Sequence, residues 1–217
     1  MVAIKYSLVA SLLASSVVAA PAVQERSLDA QAQVFAIEQR DIEERTLLPI
    51  IMLLKLIQNT SIRLSGANSL IGSLNINGQI NSPGNALITI SKAIEHLSQA
   101  IPQLIIGLQG NIDMEQINIW APGINTIVDL TVQVVNQLIV TVSQILPNNP
   151  SDQQIIQIIT LLNTSKQLVI QLNGSLNTIV TGNIDFGKDK LPPLLPNIEN
   201  ATNQCKKCKN KQGCNKF

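Results

Sequence analysis

The chain has 217 residues, of which 45% are hydrophobic, only 13% charged and 2% aromatic, and its formal net charge is +1. A chain this close to neutral offers no basic field for nucleic acid, which excludes that class of partner. Past the amino-terminal segments the only aromatics are Trp120, Phe186 and Phe217, too few for the flat platforms of sugar recognition, which argues against a lectin-like function.

Lys5, the apolar run 8–18 and the small residues Ala19-Ala20-Pro21-Ala22 read as a secretory leader over residues 1–22. Cleavage after Ala20 or Ala22 fits, and Ala22 is favoured because a proline directly after the cut is avoided. The run is too short to anchor in a bilayer. Later apolar stretches are interrupted, 47–57 by Lys55 and 155–172 by Asn163, Ser165 and Lys166, so no transmembrane anchor is expected. The mature protein is expected outside the cell, free or in the cell wall. Residues 23–45, acidic and punctuated by Glu25-Arg26, Gln39-Arg40 and Glu44-Arg45, suit a propeptide or flexible segment and equally a charged first helix.

Residues 46–65 read as a helix with Pro49 in its first turn, apolar nearly all round and therefore central. Residues 66–84, rich in Gly, Asn and Ser, read as a long connection with room for a short helix over 70–74. The cleanest stripe follows: Leu87, Ile90, Ile94, Leu97, Ile101, Leu104 and Leu108 recur at spacings of three and four. Pro102 inside it removes a backbone donor and predicts a kink or break near Ala100. A third helix, starting near Met114 or after Pro122, carries a broad apolar face to Leu146 and stops at Pro147-Asn148-Asn149-Pro150. Ser151 or Asp152 then caps a fourth, which ends at Gly182-Asn183. Beyond residue 187 a Pro-rich stretch leads into a lysine and cysteine tail, 188–217. The fold class is all-α, a domain over 46–187 of four main helices with room for a short fifth.

Catalytic chemistry finds no foothold, and no enzyme is expected. The single histidine, His96, lies off the apolar stripe and reads as a solvated surface residue. There is no phosphate loop, nucleophile elbow or zinc helix motif, so neither cofactor nor metal is implied. Asp113 and Glu115 suit the electrostatics of a helix start better than an acid pair. Trp120, before Ala121-Pro122-Gly123, reads as a packing plug at a helix junction. Cys205, Cys208 and Cys214 are disulfide candidates, with one left over; the tail lysines at 206, 207, 209, 211 and 216 could touch anionic wall polymers, although such tails are commonly just solvated. Asn59, Asn163, Asn173 and Asn200 stand in N-glycan acceptor patterns.

The positive signal is surplus apolar surface. A helix facing one core needs a stripe about 100° wide, and both Val134, Val135, Leu138, Ile139 and Val142 and Ile155, Ile156, Ile158, Ile159 and Leu162 span more. Either neighbours cover the surplus in a dry core, or it lines a cavity for an aliphatic ligand. In the second case Leu54, Ile57, Leu138, Val142, Ile159 and Leu162 are the expected lining, between the first, third and fourth helices.

Over residues 46–182 the arrangement resembles the fungal hydrophobic surface binding protein A family, which includes the antigenic cell-wall galactomannoproteins. The likeness rests on the leader and propeptide, a first helix closing at Ser65-Gly66, the helix carrying Ile94 and Ile101, the segment 117–146 with Pro122-Gly123-Ile124, and the run from Leu161-Leu162-Asn163-Thr164-Ser165 to Leu172-Asn173-Gly174-Ser175-Leu176. It implies a small helical bundle that adheres to hydrophobic surfaces or holds fatty acids between its helices. The chain departs from the family in its Ile-rich helices, its Asn/Gly connection and its cysteine tail. The expected partner is a hydrophobic small molecule or a hydrophobic surface. The alternative is a cell-wall-associated structural or effector glycoprotein, its contacts to a wall polymer made by the outer surface and basic tail.

Overall fold

The structure, a computed structural model, describes residues 29–76, 80, 82–109, 117–179 and 186–209. The leader at 1–22, Asp113 and Glu115, the expected helix stop at Gly182-Asn183, and Cys214 lie outside the described residues. The chain divides into two units, Met1–Arg45 and Thr46–Phe217. The first unit contributes helix from Asp29 onward; the bundle below belongs to the second.

Five α-helices, and no strand among the described residues, make an all-α bundle: α1 (Asp29–Ile76), α2 (Pro83–Leu108), α3 (Ile117–Ile145), α4 (Asp152–Ile179) and α5 (Leu194–Lys209). Helix α1 differs from expectation at both ends. Pro49 stands well inside it rather than in a first turn, and its missing N–H is the one that would have met the carbonyl of Arg45, at the border between the units. At the other end the helix runs through Gly66 and Gly72, where a connection was expected. Ala67, Ile71 and Leu74 continue the stripe begun at Leu64, and all four are buried. Each fully buried Leu or Ile contributes about 1.5–3 kcal/mol, against about 1 kcal/mol lost per helical glycine, so burial decides.

The seven-residue stripe of α2 is buried throughout. Pro83 opens the helix at a position where no N–H is needed. Pro102 does not break it. A proline in a helix interior costs about 3 kcal/mol, and continuing past it buries Leu104 and Leu108. Helix α3 contains Pro122 in its early turns. It ends in a 3-10 turn, Leu146–Asn148, and at Asn149, whose left-handed backbone (φ 51°) suits a residue able to bond its own backbone. A reciprocal cap then starts α4: the Gln154 N–H donates to Ser151 Oγ (3.3 Å) and the Ser151 N–H to Gln154 Oε1 (2.8 Å).

Residues 188–209, expected as a tail, instead pack as part of the bundle. Phe186 lies flat against Trp120 with ring centroids 5.5 Å apart and planes 8° apart, which makes Trp120 the buried plug expected of it. Gly187 turns the chain with φ 65°, and Lys190 pairs with Asp129 of α3 at 2.5 Å. Helix α5 then buries Leu194, Ile198, Ala201, Thr202 and Cys205 against α4 and α3. Around the core each helix meets its neighbour in the order α1, α2, α4, α5, α3 and back to α1. Gly107 of α2 lies beneath Leu53 and Leu56, and Gly123 of α3 beneath Ile57. These two glycines let α1 approach both partners closely.

The two contacts differ in tolerance. A methyl at 107 meets the free end of Leu56, which can swing away, whereas a methyl at 123 overlaps Cγ2 of the β-branched, buried Ile57. Gly123→Ala is therefore expected to lower stability by about 1–3 kcal/mol through overpacking, while Gly107→Ala stays within about 1 kcal/mol because helix propensity improves. Urea denaturation followed by circular dichroism checks this; equal losses at both sites would contradict it.

Candidate functional site

The six residues expected to line a cavity are core or near-core positions among the described residues. Ile57, Leu138, Val142 and Leu162 are buried in the contiguous core, and Leu54 and Ile159 are partly buried against it. The broad face of α3 is covered by neighbours: Val134, Val135, Leu138 and Val142 are all buried. Helix α5 supplies cover that a four-helix arrangement lacks. The helical period identified core positions.

Of the six, Val142 also borders a groove of about 350 Å³ between α3 and α5. Its apolar side is formed by Ile139, Val140, Val142 and Ala201, and its polar side by Asn136, Ser143, Asn197, Asn200 and Gln204. Among the described residues, no charged side chain lines it. The groove exists because α5 presents amides and the small Ala201 at the spacing 197, 200, 201, 204, which leaves its outer flank short of bulk against α3. Val140 is 50% exposed at the mouth. Sequence reasoning missed the site because its signal is amides and one alanine, not a hydrophobic stripe.

Several buried polar atoms have no hydrogen-bond partner: Asn68 Oδ1, His96 Nδ1, Trp120 Nε1, Asn125 Oδ1, Gln137 Oε1 and Gln204 Oε1. Among these residues Gln204 is the one that lines the groove. His96, expected in solvent, is half-buried with Nδ1 enclosed near Gly66 of α1; close helix approach at that glycine turns a surface position into an interface. Other polar groups stitch the helices together: Arg63 to Gln99, Asn68 to Gln133 (3.2 Å), Gln157 to Ser91 (3.2 Å) and Lys166 to Glu199 (3.3 Å). No group of three or more His, Cys, Asp or Glu placed to hold a metal occurs among the described residues.

Asn59, Asn163 and Asn200 are exposed and Asn173 is half-buried. The hydroxyl residues of two of these acceptor patterns, Ser165 and Thr202, are buried and bond back to Leu161 O (2.9 Å) and Ile198 O (2.8 Å). Cys208 is disulfide-bonded, and Cys205 is a buried free thiol. By length and composition Ile117–Asn148 and Asp152–Ile179 are apolar enough to cross a membrane, with mean hydropathy of 1.4 and 1.2. Both show solvent an amide-rich face, with Asn136, Gln144, Gln157, Asn163, Gln167 and Gln171 exposed, which suits a helix packed on protein and is costly in lipid. No family model matches the chain, and no curated protein or solved structure matches it.

Burial pushes the Cys205 thiol from 9.0 to about 11, a backbone hydrogen bond offsetting a little of the rise. A raised folded-state value means its contribution is complete below pH 9 and is lost as pH climbs toward 11. Over that window the wild-type chain is expected to lose up to about 2–3 kcal/mol more stability than Cys205→Val, at 1.36 kcal/mol per pH unit. Parallel stability profiles from urea denaturation at pH 8 to 11 would contradict the assignment.

Proposed function

We propose that the chain is an exported, non-enzymatic protein that takes the apolar chain of a lipid-like ligand, or the edge of a hydrophobic surface, into the groove between α3 and α5. The observation that carries this is the groove itself, an aliphatic strip bordered by uncharged amides, near the lower end of the ~300–1,000 Å³ of small-ligand sites. Export is supported by the leader-like residues 1–22 and by the disulfide at Cys208, a bond that persists in oxidising compartments.

Magnitudes favour reversible holding over deep sequestration. Full burial of a methylene is worth about 0.8 kcal/mol, and an open groove covers roughly half of a chain, so ten methylenes give about 4 kcal/mol, a millimolar affinity before any head-group contact. Exposed aliphatics on four helices, among them Met52, Ile62, Ile106 and Ile156, add weak adhesion to hydrophobic surfaces. A second reading, attachment to an anionic wall polymer, is favoured by Lys206, Lys207 and Lys209, all exposed in the last turn of α5, although cations there also complement the helix dipole.

Titration of isotope-labelled protein with decanoylglycerol, followed by amide NMR shifts, tests the first reading. Perturbations are expected to concentrate along the groove faces of α3 and α5, and Val140→Glu to weaken binding about tenfold, the factor for roughly 1.4 kcal/mol. Ile156→Glu on α4 should leave it unchanged. Shifts spread evenly over the bundle, or equal weakening by both variants, would overturn the reading.

A further inference from the structure

The polar side of the groove is specific about what it lacks. Asn136, Ser143, Asn197, Asn200 and Gln204 supply donors and acceptors but no charge, and the exposed lysines of α5 are not among the lining residues. A carboxylate head entering this rim would surrender hydration with no cation to meet it. A hydroxyl both donates and accepts, as the amides do.

Gln204 sharpens the distinction. Its Oε1 is enclosed and has no hydrogen-bond partner, so the side chain at the groove wall is an acceptor short of a donor, a state that burial makes unfavourable. Turned toward the groove that its side chain lines, that oxygen would accept a ligand O–H. A carboxylate at neutral pH has no proton to offer it, and two oxygen acceptors placed together repel.

Building on the groove reading above, we propose that the site selects a single-chain amphiphile with a neutral, hydroxylated head, such as a monoacylglycerol or a long-chain alcohol, over the matching fatty-acid anion, and that Gln204 is the specificity-determining residue. The unpaired acceptor then gains its partner only when ligand is bound, and the difference between heads arises there rather than along the shared chain.

The test compares decanoylglycerol with decanoate at pH 7.5, below their aggregation concentrations, by NMR titration of the full chain. Wild type is expected to bind decanoylglycerol about tenfold more tightly. Gln204→Leu should reduce that preference to less than threefold by weakening decanoylglycerol alone, while Ile156→Glu, on α4 and outside the groove lining, keeps it. Equal affinities in wild type, or a preference that survives Gln204→Leu, would overturn the assignment and leave the groove reading intact. Absence of any groove perturbation by decanoylglycerol would remove both.

Discussion

The broad apolar face of α3 has to be covered, and the way it is covered organises the bundle. Val134, Val135, Leu138 and Val142 span more than one neighbour can hide. Helix α1 approaches α3 at Gly123, and α5 packs on α3 and α4 together. The buried residues of α5 are modest, with Ile198 and Leu194 the largest. Its docking is reinforced by the stack of Phe186 on Trp120 just before it and by the Lys190–Asp129 and Lys166–Glu199 pairs, each worth about 0–1 kcal/mol at the surface. Because α5 is slim where it passes Val140, cover is incomplete there, and the groove is the remainder.

Low charge shapes both stability and chemistry. Core hydroxyls meet their bonding needs within their own helices: Thr131 donates to Ile127 O, Thr141 to Gln137 O and Ser165 to Leu161 O, so burying them leaves nothing unpaired. Between helices, amides bond alongside the few ion pairs, as in Asn68 with Gln133. A surface built this way exerts little long-range steering. Under the proposed groove reading, recognition depends on contact shape and on Gln204, whose Oε1 has no hydrogen-bond partner.

The sequence was most readable where period and capping agreed. The stripe of α2 and the reciprocal cap at Ser151 are local patterns, and both are present. The extension of α1 through Gly66 and Gly72 was not readable, because its residues signal a loop locally and the deciding energy is tertiary burial of Ala67, Ile71 and Leu74. Helix α5 was hidden by prolines before it and lysines within it, with Leu194, Ile198, Ala201 and Cys205 as its inward apolar face. The site was illegible for a related reason. Apolar periodicity reports what is packed, while a groove forms where packing stops, and Asn136, Asn197 and Gln204 carry no periodic signal.

The claim on which the rest depends is that α5 is an integral wall of the bundle. Native-state hydrogen exchange measures it directly, since amide protection reports the free energy of opening each segment. Amides around Ile198 to Cys205 are expected to exchange as slowly as those in the middle of α4, opening only with the whole bundle. Exchange in α5 as fast as in an unstructured peptide, with α4 still protected, would contradict it.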